Sequence, residues 1–178
     1  MTIVVLTGAS GSGKTAIAKA IGSRNAPDVE VYHFDQNGVP PVEQMLREHG
    51  SGEAWQRAMT FDWMTTSAGR LRPNARILFE GQMRLSFVRE AAEAAGVACY
   101  TLILVDCDDA TRAKRLTLDR SSPDLANATM MNWARYLREE AKQLNCMILD
   151  TTLTPLETSM QLVWEQLDRP AHFSVERR

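Results

Sequence analysis

The chain reads as an α/β protein, a parallel sheet sandwiched between two layers of helices, and three observations predict it. Short apolar runs alternate with helical patterns along the whole chain. The runs are continuously apolar, as in Ile77-Leu78-Phe79 and Leu102-Ile103-Leu104-Val105, which predicts strands covered on both faces. The first run, Ile3-Val4-Val5-Leu6, leads directly into a glycine-rich octapeptide and then a helical pattern.

In chain order, the first strand is predicted at 2–7 and the octapeptide Gly8-Ala9-Ser10-Gly11-Ser12-Gly13-Lys14-Thr15 follows it. Its glycines let the backbone fold tightly around an anion with successive N–H groups pointing inward, and the helix beyond adds the positive end of its dipole. Lys14 can then reach the β- and γ-phosphates and the Thr15 hydroxyl can ligate Mg²⁺. Gly8, Ser10, Gly11, Ser12, Gly13, Lys14, Thr15 and Ala16 are therefore expected to bind a nucleoside triphosphate. The helix that opens there runs to about 23, and strands follow near 29–34, 75–80, 99–105 and 146–150. Further helices are predicted at about 41–48, 53–70, 84–95, 109–118, 127–144 and 155–167, with Pro155 in the first turn of the last after Thr154 as its cap.

Two segments interrupt the alternation, 36–70 and 117–127, the second containing Arg120-Ser121-Ser122-Pro123-Asp124. Both are expected at or beside the carboxyl ends of strands, where open α/β sheets bind ligands. They are the predicted acceptor-binding segment and lid of a single domain spanning 1–168, with a loosely held tail at 169–178.

The 178 residues suit one domain, and a net charge of −2 argues against a broad electrostatic grip on nucleic acid. Cys99, Cys107 and Cys146 lack metal-binding spacing and read as reduced thiols of a cytoplasmic protein. His33, His49 and His172 are scattered and suggest no metal cluster. The apolar runs are too short for a membrane span, and the N-terminus reads as strand and loop rather than signal peptide.

With these motifs the chain resembles the P-loop kinases of small metabolites and nucleotides, the nucleoside monophosphate, shikimate and gluconate kinase group. The strong element is the Gly8-to-Thr15 spacing. Leu78-Phe79-Glu80-Gly81-Gln82-Met83-Arg84 is similar to the strand-end segment that reads Asp-Gly-Phe-Pro-Arg in adenylate kinases. Val105-Asp106-Cys107-Asp108-Asp109 with Arg112, Arg115 and Arg120 resembles the lid entry, and Leu149-Asp150-Thr151-Thr152 the last strand and the loop that packs against adenine. The resemblance implies a five-stranded sheet ordered 2-3-1-4-5 with a small lid, and ATP with Mg²⁺ as cofactors. It implies that Arg115 stacks on adenine with Arg112 on the same helical face and Thr152 nearby, and that Arg120 reaches the phosphates as a catalytic group beside Lys14. Arg84 falls where relatives grip the acceptor's phosphate or carboxylate.

Glu80 closes the third strand opposite the loop, where a carboxylate can support the metal with Thr15 or orient a substrate hydroxyl. Its alternative role is capping the following helix. Asp35 ends the second strand, and the resemblance gives an acid there the acceptor hydroxyl's proton or a share of the metal; starting a turn is its plainer role. Trp55, Met59 and Trp63 form one helical stripe that reads as core, leaving Arg57, Phe61 and Asp62 free to face the cleft. Arg135 and Arg138, on the helix returning from the lid, read equally as ligands or as solvated side chains. The expected activity is ATP-dependent phosphorylation of a hydroxyl on a small molecule by a monomer or homodimer. The alternatives are a nucleoside monophosphate kinase, a polynucleotide 5′-hydroxyl kinase and a nucleotide-binding regulatory ATPase.

Overall fold

The computed structural model describes residues 2–169. Apart from Arg169, the expected tail lies outside the described residues. Five strands form one parallel sheet: β1 (Thr2–Thr7), β2 (Val29–His33), β3 (Arg76–Gly81), β4 (Thr101–Asp106) and β5 (Met147–Asp150), in spatial order β2-β3-β1-β4-β5. This is the predicted α/β class and strand order.

The continuous apolar runs have the predicted cause, because alternate residues of each strand enter different cores. Ile3 and Val5 of β1, Ile77 and Phe79 of β3, and Leu102 and Leu104 of β4 pack in one cluster with the helices α3 (Gly52–Gly69), α4 (Leu85–Ala94) and α6 (Ala128–Gln143). Val4, Leu6, Leu78, Ile103 and Val105 pack on the opposite face with α1 (Lys14–Gly22) and α7 (Leu156–Asp168). The two remaining helices are α2 (Val42–His49) and α5 (Asp109–Lys114). At the sheet edges the covering ends: in β5 Met147 and Ile148 are exposed.

Side-chain caps set three of the seven helix starts among the described residues. Ser51 accepts from the Ala54 N–H at 3.0 Å, Asp108 from Thr111 at 2.6 Å and Asn127 from Met130 at 2.9 Å, each satisfying an orphan donor of the first turn. Helix α4 has no local cap; the buried Glu140 carboxylate of α6 accepts from the Leu85 N–H at 2.8 Å and the Ser86 N–H at 3.3 Å. The last helix corrects the expected cap: Pro155, not Thr154, stands at the N-cap of α7, with no side-chain cap bond. Beyond α5 the chain widens into one π turn, Arg115–Asp119, closed by Arg120 N–H to Arg115 carbonyl at 3.0 Å. A 3₁₀ turn, Pro123–Leu125, then leads into α6.

The Trp55, Met59 and Trp63 stripe lies against the β2–β3 core, and Trp63 also donates its ring N–H to the Phe34 carbonyl at 3.2 Å. Gly81 permits this packing, since a Cβ there would stand 2.3 Å from Phe34 Cβ.

Candidate active site

The octapeptide leaves the carboxyl end of β1, the central strand, between β3 and β4. Two glycines are required by geometry. A Cβ at Gly8 would approach the Val105 carbonyl oxygen to 2.2 Å, and Gly13 sits at φ 97° as the N-cap of α1. The loop wraps one end of a cavity of about 730 Å³ lined by Gly11, Gly13, Lys14, Thr15 and Ala16. His33, Asp35 and Gln36 form one wall, and Arg115, Arg120 and Thr151 stand across from them.

Lys14 is buried at this end, and among the described residues its ammonium has no ion-pair partner. Burial lowers its pKa most strongly; the Glu80 and Asp35 charges oppose that shift, while Arg120 and Arg112 add to it. A buried cation without a partner beside a glycine-rich backbone is suited to an anion. The Thr15 hydroxyl donates to Glu80 Oε2 at 3.2 Å, and Glu80 Oε1 lies 2.6 Å from His33 Nδ1. Thr15 and Glu80 thus offer two hard oxygen atoms at the loop, the donor chemistry that Mg²⁺ takes when its remaining positions are water and phosphate. The two residues expected to serve a metal thus lie within hydrogen-bond distance of each other, and Glu80 does not cap α4.

Asp35 lies in the turn after β2, exposed on the cavity wall, rather than in the strand itself. Its carbonyl accepts from the Gly38 N–H at 2.9 Å, so it also starts a turn. Arg115 is half-buried at the loop's edge, donating to Thr151 Oγ1 and the Thr151 carbonyl, both at 2.8 Å. Arg120 is exposed on the cavity, at the end of the π turn.

Two expectations, for Arg112 and Thr152, need correction. Arg112 does not face the cavity. Its side chain is fully buried beneath the loop, donating to the Ser10 carbonyl at 2.9 Å, to Asp106 at 2.6 Å and to the Cys107 carbonyl at 3.1 Å. The three-residue spacing does bring both guanidiniums to the loop, Arg112 to the Ser10 carbonyl and Arg115 to those of Gly11 and Ser12 at 3.4 Å, but Arg112 is fully buried while Arg115 is only half-buried. Thr152 also points away: its hydroxyl accepts from the Asp108 N–H at 2.8 Å, and its neighbour Thr151 lines the cavity instead. Arg84 is outside the cavity, paired with Glu53 at 2.7 Å and stacked near Tyr136 at 5.1 Å.

Other residues brace the loop. Ser10 Oγ donates to Gln82 Oε1 at 3.2 Å, and Thr151 Oγ1 lies 2.7 Å from the Ser12 carbonyl. Arg138, the second partner of Asp106 at 2.6 Å, belongs to this scaffold, whereas Arg135 is exposed and bonds Asn132. Arg57 is tied to Glu90 at 2.8 Å with its guanidinium over Phe61. Below the loop, burial pushes the Cys107 thiol pKa up, which makes it a neutral filler rather than a nucleophile. His33 and Thr151 are among the cavity residues not expected from the sequence. Both become visible only when strands are placed side by side.

The same backbone occurs in solved kinases. The chain superposes on a shikimate kinase from Acinetobacter baumannii in complex with shikimate with a TM-score of 0.61 at 14% identity, covering 93% of this chain and 92% of that one. The fold is that of the small-metabolite P-loop kinases. A sugar kinase from Janibacter sp. gives a TM-score of 0.63 at 18% identity, with 94% and 95% covered. A gluconokinase from Sinorhizobium meliloti gives 0.59 at 16%, with 96% and 93% covered. No protein-family model and no curated protein sequence matches the chain. Among the described residues no helix is long and apolar enough to cross a membrane.

Proposed function

We propose that the chain is an ATP- and Mg²⁺-dependent phosphotransferase that phosphorylates a hydroxyl group of a small molecule. The observation that carries the reading is the buried Lys14 ammonium in the cavity, without an ion-pair partner among the described residues, with the Thr15–Glu80 oxygen pair in the same site and Asp35 on the wall. The likeness to structures named as kinases supports the same class. Gly8 and residues 10–16 are assigned to the phosphates, and Thr15 and Glu80 to the metal. Bound Mg·ATP supplies a transferable γ-phosphoryl group whose negative charge must be neutralised in transit.

The protein's part is positioning and charge. Lys14 and the loop amides hold the phosphates, and Arg120 adds a second cation from the lid. Asp35 accepts the proton of the attacking hydroxyl as its oxygen bonds the γ-phosphorus and the bond to the bridging oxygen breaks, releasing ADP. Arg115 and Thr151 border the base end of the cavity. The lid segment excludes water that would otherwise take the phosphoryl group.

Release of ADP from ATP in the presence of sugars, polyols, hydroxy acids, nucleoside monophosphates and 5′-hydroxyl oligonucleotides tests the reading. Strong stimulation by a hydroxyl metabolite is expected. Stimulation only by nucleoside monophosphates, only by polynucleotides or only by a protein partner would replace it with the corresponding alternative.

A further inference from the structure

We infer that His33 is a positioning residue that fixes the Glu80 carboxylate for the metal. The inference rests on the phosphotransferase reading of the site. In the parallel pairing of β2 with β3, His33 stands directly opposite Glu80 at the carboxyl end of the sheet. The pairing continues one residue further, with the Phe34 N–H donating to the Glu80 carbonyl at 2.8 Å. The Glu80 side chain is buried, and each of its oxygens has one partner: Oε2 accepts from Thr15 at 3.2 Å and Oε1 is 2.6 Å from His33 Nδ1. A carboxylate only accepts, so His33 donates through Nδ1–H.

The shorter bond fixes Oε1, which stops the carboxylate rotating and leaves Oε2 directed at Thr15. The His33 backbone is held by Gln36: its N–H donates to Gln36 Oε1 at 3.0 Å, and its carbonyl accepts from the Gln36 N–H at 3.1 Å. Among the described residues no Lys or Arg forms an ion pair with Glu80, so His33 alone orients that oxygen. Partners that orient a ligating group in this way govern how well the ligand holds its ion.

Calorimetric titration of the full chain with ADP, with and without Mg²⁺, tests the assignment. The unsubstituted chain is expected to bind ADP more tightly with Mg²⁺. In His33→Leu that enhancement should fall by about tenfold. His33→Asn should retain most of it, because the Asn amide nitrogen can occupy the Nδ1 position. A merely structural bond would lower the melting temperature without changing the Mg²⁺ enhancement. Full enhancement in His33→Leu, or its loss in His33→Asn to the same degree, overturns the inference and leaves the phosphotransferase reading standing. Absence of any ADP binding by the unsubstituted chain would overturn both. Should His33→Leu fail to fold, ¹⁵N NMR of the unsubstituted chain with Mg·ADP decides: the Nδ1–H tautomer of His33 is expected, and the Nε2–H tautomer contradicts the geometry.

Discussion

Arg112 and Asp106 meet at 2.6 Å directly beneath the Gly8–Thr15 loop, and the same guanidinium donates to the Ser10 carbonyl at 2.9 Å. The other Asp106 oxygen accepts from Arg138 at 2.6 Å, so one carboxylate joins β4, α5 and α6 to the loop. Removing one partner of a buried ion pair leaves the other charged and uncompensated.

Arg112→Ala should therefore lower unfolding free energy by about 3–5 kcal/mol in urea denaturation. Arg112→Lys should recover little of it, because an ammonium cannot reproduce the forked contact to Ser10 and Asp106. A loss below about 1 kcal/mol would show that the pair contributes nothing beyond a surface bridge.

The sheet was legible because its signals are local. Leu102 to Val105 are all buried, as a continuously apolar interior strand requires. The same reasoning holds less well at the edge, where Met147 and Ile148 are exposed although the run looks alike. The loop residues and the Thr15–Glu80 pair were readable from motif and order. His33 was not, because its partner is 47 residues away and meets it only through strand register. Arg112 shares a helical face with Arg115, as its spacing says, but the spacing does not reveal the Asp106 carboxylate that holds its guanidinium beneath the loop. Thr152 was chosen over Thr151 because nothing in a Thr-Thr pair says which side chain turns inward.

Burial holds the Lys14 pKa below the ordinary lysine value. Across the window between the lowered folded value and the ordinary one, the unfolded chain binds more protons than the folded chain, so stability rises with pH there. Below that window the buried ammonium costs stability. Lys14→Met should accordingly raise the melting temperature of the ligand-free protein near neutral pH, with the gain shrinking as pH climbs toward the ordinary lysine value. A gain that does not change with pH would contradict the cause assigned to the shift.

Asp35 is exposed on the cavity wall, so its removal should leave the fold intact. Asp35→Asn should slow turnover on the acceptor by at least about tenfold while ATP affinity barely changes. Steady-state kinetics with unchanged kcat would remove Asp35 from proton transfer.

Glu140 caps a helix that is not its own. Glu140→Ala strands the Leu85 and Ser86 N–H groups and should destabilise the protein by about 1–3 kcal/mol. Nucleotide affinity should be unaffected, since the carboxylate is not among the cavity residues. A combined loss of stability and ADP binding would tie α4 to the nucleotide cavity.

The central claim is that the loop from Gly8 to Thr15 holds a nucleoside triphosphate with its metal. Calorimetric titration of the folded chain with a non-hydrolysable ATP analogue and Mg²⁺ tests it most directly. One saturable site is predicted, abolished in Lys14→Ala. No heat from the unsubstituted chain, or undiminished binding by Lys14→Ala, would contradict it.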